Sequence, residues 1–108
     1  MKPVGGGEES GTIQVRVDAD LEELMPRFMK NRREDIAAIE SALAADDFET
    51  IDTVAHGLKG SGGGYGFDEI TRIGIALERA AKVRSRGDIQ KSLDHLARYL
   101  AQVEIIYE

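Results

Sequence analysis

The chain has 108 residues, 42% of them hydrophobic and 31% charged, with a formal net charge of -6 at pH 7. Its length suits one domain with a modest core, and the acidic balance argues against nucleic acid as a partner, because phosphate backbones are bound by clustered Lys and Arg. The absence of cysteine excludes disulfides and thiolate metal sites.

The N-terminal region combines a glycine-rich start with a short alternating segment. Residues 1–11, MKPVGGGEESG, have no apolar periodicity, so we expect a flexible leader in front of a domain at residues 12–108. No signal peptide and no apolar run of membrane-spanning length is evident, so we expect a cytoplasmic protein without membrane association. Ile13, Val15 and Val17 then alternate with polar residues, which predicts an extended arm lying on the helices, without a partner strand.

The next segment has helical periodicity. From Asp20 to about Ala45, apolar residues recur at spacings of three and four, with one longer gap. Pro26 lacks an N–H, so it either ends a short first helix or lies in the first turn of the longer one. The pair Asp46 and Asp47 supplies the predicted N-cap of a second long helix, which carries His56.

Two further helices follow a glycine-rich stretch. One extends from Ile70 until the sequence RSRG around Gly87, and the last is predicted to start at an Asp88 cap and to continue to Tyr107. Apolar positions in the last helix step alternately by four and three, which favours packing at shallow angles. The sequence therefore predicts an all-α fold, an antiparallel up-and-down four-helix bundle with a short extra N-terminal helix or arm.

His56 is predicted to face solvent. With about 100° per residue, the imidazole points roughly 140° away from the centre of the apolar stripe of its helix. Gly60 and Gly63 lie one and two turns further on the same face. Glycine inside a helix costs about 0.5 to 1 kcal/mol relative to alanine, and its use is close approach by another group. We expect Gly60 to leave access to the ring and the later Gly64 and Gly66 to end the helix.

Two charged residues lie near the histidine on this helix. Lys59 comes three residues after His56 and can reach the imidazole edge, where an ammonium would stabilise an anion attached to the ring, such as a phosphoryl group. The alternative is a solvated lysine paired with Asp52. Asp52 can also orient the ring by a hydrogen bond but would repel a phosphoryl group, so its role stays open.

The stretch AHGLKGSGGGYGF, residues 55–67, resembles the signature of histidine phosphotransfer (HPt) domains of bacterial phosphorelays. The resemblance extends through most of the chain after the leader and departs from the family mainly in its excess of glycine at 62–64. The matching positions are His56, Leu58, Lys59, Gly60, Ser61, Gly66 and Phe67.

The resemblance implies a phosphorelay intermediate. His56 would accept a phosphoryl group from the phosphoaspartate of a response-regulator receiver domain and pass it to, or back to, a receiver aspartate. Lys59 would stabilise the phosphoryl charge, Gly60 would give access, and Gly63 and Ser61 would contribute to binding. The domain would need no cofactor and no metal, since the receiver brings Mg²⁺. A hybrid histidine kinase is a further expected partner, and we expect a monomer.

Other functions remain as alternatives. A helical adaptor would keep the bundle and lose the chemistry. In histidine kinase dimerisation domains an acidic residue usually follows the histidine and a proline closes the motif. Here Gly57 follows His56, no proline lies downstream and no ATP-binding domain fits in the remaining residues, so this family is disfavoured. A hydrolase would need a base, a nucleophile and an oxyanion site within reach of one another. His95 is a candidate for such a site, but it is predicted to lie on the surface beside Asp94. His56 with Asp52 gives only two ligands for a metal.

Overall fold

Two parallel strands from opposite ends of the chain pair with each other. The computed structural model describes residues 12–108, so the predicted leader lies outside the described residues. Strand β1, Ile13–Val17, pairs with β2, Val103–Tyr107, with Ile13 opposite Val103 and Val17 opposite Tyr107. The prediction of an arm without a partner strand is therefore wrong.

The partner strand comes from the segment that helical periodicity predicts as the end of the last helix. Val103 and Tyr107 are four residues apart and fit a helical stripe as well as the inner face of a strand. The segment VEIIY is rich in β-branched and aromatic residues, which favour strands. Val103 leaves the helix with φ -70° and ψ 134°, so the last helix ends at Gln102 and not at Tyr107.

Four helices form the rest of the fold. A 3₁₀ helix, Ala19–Leu24, leads directly into the first of them, and Pro26 lies in its first turn, where no N–H is needed. The helices are α1 (Met25–Ala44), α2 (Phe48–Gly64), α3 (Asp68–Lys82) and α4 (Arg86–Gln102).

The loops between the helices have three residues each, at 45–47, 65–67 and 83–85, and such short loops suit antiparallel neighbours. Each loop contains one residue of positive φ: Asp46, Gly66 or Arg84. The prediction that Gly64 and Gly66 end the helix and turn the chain is confirmed, since Gly64 is the last residue of α2 and Gly66 has φ 89°.

Side chains cap two of the helices. The Asp47 carboxylate accepts a hydrogen bond from the Thr50 N–H at 3.2 Å, so of the two predicted candidates Asp47 is the cap of α2. At α4 the cap is Ser85, whose Oγ accepts from the Asp88 N–H at 3.4 Å. The prediction of Asp88 as N-cap is wrong, because α4 begins at Arg86, three residues before its apolar stripe starts at Ile89, and Asp88 lies in the first turn.

The core is built from one face of each helix and the inner face of the sheet. Each helix packs on its neighbours in the chain, and α1 also contacts α4, which closes the bundle. The predicted four-helix bundle is therefore confirmed. No helix in residues 12–108 is long and apolar enough to cross a membrane. The largest fully buried side chains are Met25, Ile39, Ile51, Leu58, Phe67, Ile70, Ile73, Leu77, Ile89, Leu93 and Leu96.

Candidate functional site

His56 lies on the outer face of α2, as the helical periodicity predicts. Its side chain is 72% exposed, whereas its neighbour Ala55 and Leu58 two residues later are buried in the core. The buried residues fix the rotation of α2 about its axis. The imidazole consequently projects from a packed surface into solvent.

Glu78 on α3 holds one nitrogen of this ring. Glu78 Oε2 lies 3.1 Å from His56 Nδ1. The carboxylate can only accept a hydrogen bond, so His56 Nδ1 must carry the hydrogen and donate. In the neutral ring, Nε2 is then the unprotonated nitrogen. The arrangement leaves the nucleophilic lone pair on the nitrogen away from Glu78.

Lys59 binds the same carboxylate. Lys59 Nζ lies 3.0 Å from Glu78 Oε1, so Glu78 connects the lysine and the histidine. The Lys59 ammonium, followed by His56, holds the pKa of Glu78 below its usual range. Glu78 therefore stays ionised at neutral pH. The ionised Glu78 carboxylate stabilises the fold fully at pH values above the pKa that Glu78 has in the unfolded chain. This stabilisation is lost as the pH falls through the lower pKa that Glu78 has in the folded chain.

The contact with Glu78 depends on close packing of α2 against α3. A Cβ added to Gly74 would lie 2.6 Å from the Lys59 N and 3.0 Å from the Ala55 O, so the two backbones meet at this glycine. Thr71 Oγ1 also donates to the Lys59 carbonyl oxygen at 3.2 Å. Glu78 follows Gly74 by one helical turn, which places its carboxylate beside residues 56 and 59.

Glycines leave open space around the ring on α2. A Cβ added to Gly57 or Gly60 would have no described atom within 4 Å, and one at Gly63 would meet only Thr71 Oγ1, at 3.8 Å. Gly62 is different, since it is buried and its added Cβ would lie 2.7 Å from the Phe67 O. Gly60 and Gly63 thus border the exposed face that carries His56, and Gly62 serves the packing of the loop after α2.

Two predicted neighbours of His56 are engaged elsewhere. Ser61 lies in the seam between α1 and α2, where its hydroxyl donates to the Leu58 O and accepts from Arg32 Nη1, each at 3.2 Å. Five residues correspond to about 140° of rotation, which turns Ser61 away from the His56 face. The Asp52 carboxylate lies 3.3 Å from Lys82 Nζ on α3. Asp52 thus pairs with Lys82, and the ring pairs with Glu78.

His95 belongs to another part of the surface. Its side chain is half-exposed on α4, and Nε2 lies 2.9 Å from Glu69 Oε2. Among the described residues, no group of three or more His, Cys, Asp or Glu side chains is arranged to hold a metal ion.

Sequence reasoning missed Glu78, which is 22 residues from His56. The one local sign that Glu78 could face α2 is its position at the edge of the α3 apolar stripe, directly after Leu77 and one turn after Gly74.

Comparison with known proteins gives one family. A family model described as the Hpt domain matches residues 23–105. This range contains α1 to α4 and includes both the His56 motif and Glu78. The comparisons with curated proteins and with solved structures give no significant match.

Proposed function

The chain belongs to the Hpt domain family, which acts in two-component phosphotransfer, and on that premise we propose that His56 is the phosphoacceptor of a phosphorelay. In this role His56 takes a phosphoryl group from a receiver phosphoaspartate and passes it to a receiver aspartate. The observation that carries the proposal is the exposed imidazole whose Nδ1 is held by Glu78. A fixed Nδ1–H leaves Nε2 free for attack.

The transfer step follows from this tautomer. The Nε2 lone pair attacks the phosphorus, an N–P bond forms, and the bond between phosphorus and the aspartyl oxygen breaks. That electron pair leaves with the receiver carboxylate. The ring keeps its Nδ1 hydrogen, so the phosphorylated imidazole gains positive charge beside the Glu78 carboxylate. No proton has to enter or leave, and the return step is the same sequence in reverse.

The neighbours of the ring have separate roles in this proposal. Lys59 turns from Glu78 to the phosphoryl oxygens and offsets part of their charge. Gly60 and Gly63 admit the phosphoryl group and the receiver surface, because neither places a side chain beside His56. Hpt domains are phosphocarriers and not kinases, so the receiver supplies Mg²⁺ and the acidic groups that bind it. A hybrid histidine kinase is a further partner, and the domain acts as a cytoplasmic monomer.

Replacing Lys59 by alanine is expected to slow phosphoryl transfer about tenfold or more, because a charge-assisted hydrogen bond to the phosphoryl group is lost. Lys59 is about one-third exposed, so the bundle should stay folded. The rate is measured by rapid mixing with a phosphorylated receiver. Lys59→Arg is the control that keeps the charge. An alanine variant as fast as the native protein would remove the assigned role.

The function as a whole is tested with a panel of phosphorylated receivers. Acid-labile label should appear on this protein with at least one cognate receiver and should return to unphosphorylated receiver added in excess. Complete absence of label, together with stable receiver binding, would favour the adaptor alternative.

A further inference from the structure

A second ion pair lies next to the His56 site across the same seam between α2 and α3. Lys82 Nζ lies 3.3 Å from Asp52 Oδ1. Asp52 precedes His56 by four residues, and Lys82 follows Glu78 by four residues. Residues four apart share a helix face. The two cross-helix ion pairs are therefore neighbours along the seam.

Phosphorylation would disturb the charge balance of this group. The two pairs comprise two ammonium groups and two carboxylates, while phosphorylation adds nearly two negative charges on the phosphoryl group and one positive charge on the ring. If Lys59 turns to the phosphoryl group, Glu78 loses its ammonium partner and keeps only the His56 ring. The Glu78 side chain is 18% exposed and that of Asp52 is 39% exposed. Water therefore solvates the charge of an unpaired Asp52 carboxylate better than that of an unpaired Glu78 carboxylate.

We propose that Lys82 is the replacement cation of Glu78: when Lys59 moves to the phosphoryl group, Lys82 leaves Asp52 and pairs with Glu78. This inference rests on the proposed function, since it requires a phosphorylated His56. A glutamate followed by a lysine four residues later on one helix is the favourable orientation for such a pair. Lys82 is a positioning residue: it keeps Glu78 ionised and bound to Nδ1 while Lys59 is engaged.

In the unphosphorylated state Lys82 pairs with Asp52 and acts on Glu78 only through its charge. The positive charge of Lys82 adds to the effects of Lys59 and His56 that lower the pKa of Glu78. The Lys82 side chain is 62% exposed, so it is free to move between partners on the surface. The exchange needs only rotation of its side chain, since the backbone of α3 stays packed on α2.

The test compares Lys82→Gln with Lys91→Gln, an exposed lysine on α4 that gives the same change in net charge. The proteins are phosphorylated with phosphoramidate, a small donor, and the phosphorylated fraction is measured by ³¹P NMR. We expect Lys82→Gln to lower the equilibrium between phosphorylated and free protein about fivefold. Lys82→Arg should restore it, and Lys91→Gln should match the native protein.

A second readout separates this role from general stability. The ¹³C carboxyl shift of Glu78 is titrated in the phosphorylated and the free protein. In Lys82→Gln, the Glu78 pKa should rise on phosphorylation by more than in Lys91→Gln. Equal values for these two variants in both measurements would overturn the proposal while leaving His56 as phosphoacceptor. Label from phosphoramidate without label from any receiver would overturn the proposed function instead, and the two variants would still decide the role of Lys82.

Discussion

A His56→Gln variant is expected to lose all label from phosphorylated receivers, down to the level of a blank without receiver. Glutamine has no nitrogen lone pair that is nucleophilic at neutral pH, so no N–P bond can form. His56 is exposed and the only side-chain hydrogen bond it makes in the described chain is to Glu78, so the fold should change little. The measurement is radiolabel transfer at equal protein concentrations, with circular dichroism to verify folding.

His95→Gln is the matched control for this loss. It removes the other histidine of the chain, which lies on α4 and pairs with Glu69. This variant should take label as the native protein does. Label that persists in His56→Gln and disappears in His95→Gln would move the acceptor to α4 and contradict the assignment.

Gly74→Ala is expected to destabilise the domain by about 2 to 3 kcal/mol, the upper part of the range for overpacking. The new Cβ would meet the backbone of α2 at 2.6 to 3.0 Å, and backbone atoms cannot move aside as a flexible side chain can. For a domain of this size, such a loss lowers the Tm by roughly 10 to 20 °C. Thermal and urea unfolding measure it.

Gly57→Ala provides the control within the same pair of helices. Its added Cβ would meet nothing within 4 Å among the described residues, so the better helix propensity of alanine should raise stability by about 0.5 to 1 kcal/mol. The expected result is therefore a lower free energy of unfolding for Gly74→Ala and a higher one for Gly57→Ala. A Gly74→Ala protein as stable as the native one would show that α2 and α3 are not in backbone contact there.

The helices and the exposure of His56 could be predicted because both depend on local periodicity. Ile51, Ala55 and Leu58 are buried, which leaves His56 outside, and no knowledge of the neighbouring helices is needed for that conclusion. The Asp47 cap is also a local feature.

The sheet and the partner of the histidine could not be predicted, because both depend on residues far apart in the chain. A parallel pair needs a long connection between its strands, and here the whole bundle lies between β1 and β2. Glu78 reaches His56 only because Gly74 lets α3 approach α2 closely. The periodicity of a single helix contains no information about contacts with other helices. For the same reason it could not predict that Arg32 on α1 binds Ser61.

The most direct test of the phosphoacceptor assignment is NMR of the phosphorylated domain with ¹⁵N-labelled histidine. We predict that ³¹P couples to Nε2 of His56 while Nδ1 keeps its hydrogen and its bond to Glu78. Coupling to Nδ1, or to a nitrogen of His95, would contradict the account.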